Sequence, residues 1–429
     1  MDQQRREFLA AAGALAGAAA LPGCATTAGD GTAGKVVVVG GGYGGATAAK
    51  YLRMWSNGTV GVTLIESRDS FVSCPLSNLV IGGSKRLADI TVPYDQLARR
   101  WGVDVVHDTA TGVDVDKRVV TTAGGRSFGY DRLVLSPGIE FIFDAIPSYR
   151  ADPARAVGIA PHAWQAGPQT VLLRQQLEAM PDGGTCAIVI PVAPYRCPPG
   201  PYERACQVAW YFKRAKPRSK VLVCDGNPDV TSKAALFKKA WAEEYRGLIE
   251  YRPNNVLTDV DLATRTAKFE TADDVKADVL NVVPPQRAGQ IALTTGLITA
   301  NNRWCGVNWQ TMESVKVPGV HVLGDATLSA QLMPKSGHMA NQHAKVCAAA
   351  VIAMIKNQPL NAQPMMVNTC YSFIDDRNVV HVASVHTYDA TEKTMLPVKG
   401  AGGLSDKANE LEGTYALSWA QNIWADMLA

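Results

Sequence analysis

The sequence predicts an α/β protein of two successive dinucleotide-type domains followed by a small α+β domain. Three observations carry that prediction. Residues 35–50 read Lys-Val-Val-Val-Val-Gly-Gly-Gly-Tyr-Gly-Gly-Ala-Thr-Ala-Ala-Lys, a buried strand passing through Gly40-x-Gly42-x-x-Gly45 into an alanine-rich helix. A second apolar strand, residues 62–66, ends in Glu66, where the ribose hydroxyls of a dinucleotide fall. A later strand, residues 317–325, ends in Gly324-Asp325, and a separate strand–helix–strand unit lies between the two signals.

Each glycine has a reason. Gly40 allows the tight turn, Gly42 lets backbone approach a pyrophosphate, and Gly45 lets helix pack on strand. The helix N-terminus offers free N–H groups and a positive dipole end to the phosphates. A glycine-rich turn alone is common; with Glu66 it completes a βαβ unit.

Residues 1–34 are excluded from fold reasoning. Gln4-Arg5-Arg6-Glu7-Phe8-Leu9 is a twin-arginine export signature followed by small apolar residues as far as Leu21. Leu21-Pro22-Gly23-Cys24 resembles a lipoprotein signal that would place a lipid anchor on Cys24, whereas cleavage a little later would release a soluble chain. Export by this route implies a periplasmic location. No later segment is apolar for long enough to span a membrane. With 42 Lys and Arg against 39 Asp and Glu, the charge is near neutral and gives no nucleic-acid footprint. The expected domains are 35–147 and 288–360 as two segments of one dinucleotide domain, 148–287 as the second, and 361–429 as the last.

In chain order, Cys74 follows Glu66 by a short step, in a Pro/Ser/Asn loop, where a thiol can reach the ring end of a bound dinucleotide. The plain alternative is a small buried residue. Residues 103–108 and 118–122 read as short strands, with Gly124-Gly125 in a hairpin, and 133–138 as a buried strand with a Pro-Gly turn. The second unit has strands at 185–190 and 220–225 and a helix near 202–213. The turn between them, residues 191–203, holds prolines where a nicotinamide cradle needs glycine N–H groups, so no NAD(P) is expected there. In FAD-binding families an acid placed like Asp325 accepts hydrogen bonds from the ribityl chain. A helix after Met333-Pro-Lys335-Ser-Gly337 would aim its N-terminus at the flavin's pyrimidine edge. Residues 378–387 alternate like an antiparallel strand. Residues 415–428 have helical spacing with Trp419, Ile423 and Met427 on one face. Cys186, Cys206, Cys224, Cys305 and Cys347 read as core, and the seven histidines show no metal-ligand spacing.

From Lys35 onward the chain resembles the flavoprotein subunit of flavocytochrome c sulfide dehydrogenase and its stand-alone relatives. The motifs are the glycine turn, Cys74-x-Leu-Ser-Asn, Arg196-Cys-Pro-Pro-Gly-Pro-Tyr-Glu203, Pro284-Pro-Gln-Arg-Ala-Gly289, Met333-Pro-Lys-Ser-Gly337 and Asn368-Thr-Cys-Tyr-Ser372. The resemblance implies a glutathione-reductase-like flavoprotein of two dinucleotide-binding domains that oxidises hydrosulfide and passes electrons to a c-type cytochrome. It also implies FAD bonded through Cys74, a redox-active Cys197–Cys370 pair against the ring, Glu203 as a carboxylate near that pair, and FAD contacts at Gly40, Gly42, Gly45, Glu66, Asp325 and Lys335. Pro75 departs from the family, which carries an aromatic there. Without the resemblance, Cys197 and Cys370 would read equally as a structural disulfide. The chain has no Cys-x-x-Cys-His and so carries no c-type haem of its own. Two other readings stay open: a sulfide:quinone oxidoreductase, for which the helix bearing Trp419 and Trp424 would supply the membrane surface, and a flavin redox partner without sulfide turnover.

Overall fold

Val36 to Val39 are 7% exposed or less and lie at the centre of a five-stranded parallel sheet. The computed structural model describes residues 32–429; the twin-arginine stretch and Cys24 lie outside the described residues. In the sheet the strands run in the order Val320–Val322, Arg132–Leu135, Gly34–Val39, Val60–Glu66 and Asp104–His107. The first strand pairs with neighbours on both sides, Val36 opposite Val62 and Arg132. Strand order therefore reverses at the glycine turn, the place where open α/β sheets bind ligands. The same edge receives Gly324-Asp325 directly after the strand Val320–Val322.

A second parallel sheet has the order Ile249–Arg252, Lys220–Asp225, Thr185–Ile190 and Val279–Val282. The helix Gly200–Ala215 crosses between its two middle strands, longer at both ends than the expected 202–213. The chain passes between the two sheets twice, and the passages Ile139–Phe141 and Gln286–Ala288 pair antiparallel. The cysteines expected in the core are there: Cys186, Cys206, Cys224, Cys305 and Cys347 are all fully buried.

The last part is a three-stranded antiparallel sheet, Met365–Phe373, Val379–Asp389 and Thr394–Leu404, followed by the helix Glu410–Leu428. Asn409 caps that helix by accepting the Glu412 N–H at 2.9 Å, and Glu410 and Glu412 suit the dipole of the first turn. Its tryptophans face inward. Trp424 Nε1 donates to the Tyr43 hydroxyl at 3.2 Å, and Trp419 lies against His338 and Tyr371. The helix end is tied to the first dinucleotide helix by Lys50 Nζ donating to the Ala425 carbonyl at 2.9 Å and Tyr51 donating to Asp426 at 2.5 Å. The apolar stripe read from sequence is thus spent on packing. Among the described residues no helix is long and apolar enough to cross a membrane.

Gly45 is the tightest point of the first unit. A Cβ there would lie 1.7 Å from the Gly40 carbonyl oxygen, so strand and helix could not keep their approach. Gly45→Ala is expected to destabilise by about 2 kcal/mol or more. Denaturant unfolding measures it, and a change within about 0.5 kcal/mol would contradict the packing described.

Candidate functional site

The glycine turn and the strand ends enclose a cleft of about 340 Å³, lined by Gly40, Gly42, Glu66, Cys74, Arg196 and Asp325 among others. Gly40 has φ +93°, and a Cβ there would lie 2.4 Å from the Ser136 carbonyl oxygen. A Cβ on Gly42 would meet nothing within 4 Å; it faces open space at the start of the helix Tyr43–Trp55, whose first turn holds no acid. Glu66 is locked to this turn, its Oε2 accepting the Gly41 N–H at 2.6 Å and its Oε1 the Arg68 N–H at 2.9 Å. At the other end Asp325 is half-buried, and its Oδ1, a buried atom, finds no donor among the described residues. Burial pushes the Asp325 carboxyl above the ordinary range, opposed by Arg196 and Lys335. An unpartnered buried acceptor beside a glycine cradle and a ribose acid is what FAD, with its ribityl hydroxyls and pyrophosphate, would satisfy.

A second cavity of about 120 Å³ adjoins the first and shares Tyr43, Cys74, Arg196, Asp325 and Gly337 with it. Cys197, Cys370 and Glu203 all line it. Three elements converge to place them. The proline turn after the strand Thr185–Ile190 carries Cys197 in the left-handed region, φ +56°, at a cost of about 1–2 kcal/mol for a residue with a side chain. That turn is pinned by Cys197 N–H donating to the Lys335 carbonyl at 2.8 Å and Arg196 N–H donating to Gln286 Oε1 at 3.0 Å. Glu203 stands in the first turn of the helix Gly200–Ala215. Cys370 lies on the strand Met365–Phe373, its sulfur 3.4 Å from Asn368 Nδ2.

Glu203 is 8% exposed; its Oε2 accepts from Asn78 Nδ2 at 3.1 Å and its Oε1 from the Phe373 N–H at 3.0 Å. Burial raises its pKa, with the two hydrogen bonds opposing. Burial also pushes both cysteine thiols up, and the Lys233 ammonium pulls Cys370 back down. Cys74 Sγ lies 3.3 Å from Arg196 Nη2, which also donates to the Trp164 carbonyl.

Of the predicted residues, Gly40, Gly42, Glu66, Cys74 and Asp325 line the first cavity and Cys197, Cys370 and Glu203 the second, while Gly45 lines neither because it is taken up by the approach of helix to strand. The Cys197 and Cys370 sulfurs are not bonded to each other in this structure, and the Cys370 sulfur is held against the Asn368 side chain. Lys335 is absent from both cavity walls. Its ammonium turns under Asp325, donating to the Asp325 and Thr327 carbonyls and sitting 3.8 Å from the Trp304 ring centroid. It therefore acts on the cleft through Asp325 and through the carbonyl that holds Cys197. The helix that follows, Gly337–Ile355, is capped by Ser336 accepting the Met339 N–H at 3.0 Å, and its first residue lies at the junction of the cavities.

Sequence reading missed Lys233 and Arg204. Lys233 Nζ donates to the Cys370 carbonyl at 2.9 Å and Ser372 Oγ at 2.7 Å, and burial lowers its pKa to about 8. Arg204 is buried and donates to Asn78 Oδ1 at 3.1 Å, Asn281 Oδ1 at 2.9 Å and the His162 and Ala163 carbonyls. Arg204 directly follows Glu203, the last residue of the proline motif, which was a usable signal; Lys233 is far from every motif. Among the described residues no group of three His, Cys, Asp or Glu could hold a metal.

The fold and the cleft define a flavoprotein oxidoreductase of the two-dinucleotide-domain class. Residues 34–153 match the pyridine nucleotide-disulphide oxidoreductase family model. Residues 170–284 match the central domain of the sulfide dehydrogenase [flavocytochrome c] flavoprotein chain, and residues 362–428 the flavin-binding domain of flavocytochrome c sulphide dehydrogenase. The chain is 56% identical over 46 residues to the sulfide dehydrogenase [flavocytochrome c] flavoprotein chain of Chlorobaculum thiosulfatiphilum, covering 11% of this chain and 94% of that sequence. It is 24% identical over 303 residues to the mitochondrial sulfide:quinone oxidoreductase of Dictyostelium discoideum, covering 68% of this chain and 65% of that protein's length. The crystal structure of the sulfide:quinone oxidoreductase from Aquifex aeolicus shares the fold, with a TM-score of 0.72 at 19% identity over 92% of this chain and 91% of that one. The chain belongs to the flavocytochrome c sulfide dehydrogenase flavoprotein family.

The raised pKa of Glu203 has a thermodynamic signature. The folded protein holds this proton more tightly than the unfolded chain, so the stability it contributes is full below the ordinary carboxylate pKa and lost as pH rises through the folded value. As pH rises from about 4 to about 8, the parent should lose stability relative to Glu203→Gln. Denaturant melts across that range test this; a pH-independent difference would refute it.

Proposed function

We propose that this chain is a periplasmic, twin-arginine-exported sulfide dehydrogenase that oxidises hydrosulfide at Cys197 and Cys370 and delivers the electrons to a c-type cytochrome. The observation that carries the reading is the shared cavity: both thiols and the Glu203 carboxyl line one small chamber that opens onto the dinucleotide cleft. In the oxidised pair, hydrosulfide attacks one sulfur; its new S–S bond forms as the Cys197–Cys370 bond breaks, and the other cysteine leaves as thiolate. Glu203, whose pKa burial raises, lines the chamber and can exchange a proton with the sulfur species. Re-forming the Cys197–Cys370 disulfide with release of the outer sulfur at the zero-valent level gives up two electrons, which a bound flavin would have to accept. Bound FAD supplies the two-electron acceptor and the single-electron outlet. Gly40, Gly42, Gly45 and Glu66 would hold its dinucleotide and Asp325 its ribityl chain. Cys74, on the wall of both cavities, would hold it covalently.

The second dinucleotide unit binds no NAD(P) in this reading. Its strand-to-helix turn carries prolines and presents Cys197 to the first domain in place of an anion cradle. A quinone acceptor is the second reading, supported by the sulfide:quinone oxidoreductase relatives. Against it stands the helix Glu410–Leu428, whose tryptophans pack inward.

Two experiments test these assignments. Acid precipitation of the wild type should retain flavin on the protein, and Cys74→Ser should release it; full release from the wild type would remove the covalent bond. In an anaerobic titration, hydrosulfide should bleach the flavin and oxidised cytochrome c should restore it, while Cys197→Ser should bleach with dithionite only. Restoration by a soluble quinone and not by cytochrome c would favour the second reading. A wild-type flavin that dithionite reduces and hydrosulfide does not would sink both.

A further inference from the structure

The turn that carries Cys197 cannot hold itself. Pro191, Pro194, Pro198, Pro199 and Pro201 have no backbone N–H to donate. Cys197 itself sits in the left-handed region at φ +56°, which a residue with a side chain keeps only when its surroundings impose it. Three hydrogen bonds reach the turn from residues 286–335: Cys197 N–H to the Lys335 carbonyl, Arg196 N–H to Gln286 Oε1, and Arg303 Nη2 to the Pro194 carbonyl at 2.7 Å. A second set comes from the loop after the strand Lys220–Asp225, and it leads to one carboxylate.

Asp225 ends that strand and is fully buried. Its Oδ1 accepts the Asn227 N–H at 3.0 Å and Asn227 Nδ2 at 2.7 Å. Its Oδ2 accepts the hydroxyls of Tyr202 at 2.7 Å and Tyr251 at 3.0 Å. Asn227 and Tyr202 pass this hold on to the turn. Asn227 Oδ1 accepts the Ala193 N–H at 2.9 Å, and its Nδ2 donates to the Pro191 carbonyl at 3.0 Å. The Tyr202 hydroxyl accepts the Thr231 N–H at 3.1 Å, and Thr231 Oγ1 lies 2.9 Å from the Tyr195 hydroxyl and 3.4 Å from the Pro198 carbonyl. Cys197 lies between Tyr195 and Pro198, so both limbs of its turn are fastened to Asp225. Glu66 marks the contrast. It ends the second strand of the first unit and also binds its own turn, at the Gly41 N–H, but it lines an open cleft. Asp225 is closed in by its donors, and the place of a ribose acid is given over to holding a cysteine.

We propose that Asp225 is a positioning residue for Cys197: by fastening both limbs of the proline turn it keeps the Cys197 sulfur in the chamber shared with Cys370. Its consequence for the reaction rests on the reading of Cys197 and Cys370 as the reacting pair. The position of Cys197 is measurable without turnover. Asp225→Asn is nearly isosteric, but it leaves one acceptor oxygen for four donors and turns an amide N–H toward the rest.

The test uses the anaerobic holoprotein, with peptide mass spectrometry resolving each cysteine. After reduction, N-ethylmaleimide should label Cys197 about tenfold faster in Asp225→Asn than in the wild type, with the Cys370 rate unchanged. In glutathione redox buffers the two thiols pass two electrons and two protons to glutathione disulfide, which becomes two glutathione thiols. The equilibrium constant for closing Cys197–Cys370 in this way should fall about tenfold in the variant. Thr231→Val removes one hydroxyl at an exposed residue and should move both readouts about threefold; it decides the matter if Asp225→Asn does not fold. Unmoved Cys197 labelling, equal acceleration at Cys370, or an unmoved equilibrium constant would overturn the proposal. If wild-type Cys197 and Cys370 never close a disulfide, the pair reading falls, and a labelling change confined to Cys197 still upholds the position assigned to Asp225.

Discussion

One buried carboxylate sets the geometry on which the site depends. Glu203 belongs to the helix Gly200–Ala215, yet its two oxygens are taken by Asn78 from the first dinucleotide segment and by the Phe373 N–H from the last sheet. Three stretches far apart in sequence are thereby held at one point. Charge-assisted hydrogen bonds of this kind are worth about 1.5–3 kcal/mol each, and more is lost when one partner is left buried and unpaired. Arg204, the next residue, reinforces the junction by gripping Asn78, Asn281 and the His162–Ala163 backbone. With that junction fixed, Cys197 and Cys370, from two different elements, face one chamber.

The electrostatics follow from the same packing. Arg196, Arg204, Lys233 and Lys335 surround or underlie the two cavities, and Glu203 and Asp325 are the carboxylates among them, both with pKa values raised by burial. Such an interior favours anions. Hydrosulfide and a cysteine thiolate are both small anions with little capacity for hydrogen bonding, so fixed cations behind the walls suit them better than polar groups lining the chamber. Lys335 shows the economy of the arrangement: its side chain offsets Asp325 while its carbonyl anchors the Cys197 turn.

The first dinucleotide unit was legible because its physics is local. The left-handed turn at Gly40 and the approach of Gly45 to the Gly40 carbonyl are constraints within a few residues, and Glu66 is reached by a strand whose register follows from the valine run. The proline turn and the two cysteine motifs were legible through resemblance, and the structure places their side chains in one chamber. What could not be read was set by long-range packing. Nothing around Lys233 in the sequence marks it, since its partner strand is more than a hundred residues away. Lys335 sits in a conspicuous motif but points away from the cleft, because the Asp325 and Thr327 carbonyls and the Trp304 ring capture its ammonium. The direction faced by Trp424 was likewise decided by Tyr43, at the opposite end of the chain.

That contact between Trp424 and Tyr43 has a temporal side. Tyr43 walls both cavities, and it is braced by a helix that leaves the ribosome some 370 residues later, together with the Lys50–Ala425 and Tyr51–Asp426 bonds. During synthesis the glycine cradle can fold early, but its inner wall stays unsupported until the helix Glu410–Leu428 has docked. Completion of the chamber therefore waits on residues 410–428, and a dinucleotide captured before they dock would sit in a half-walled site.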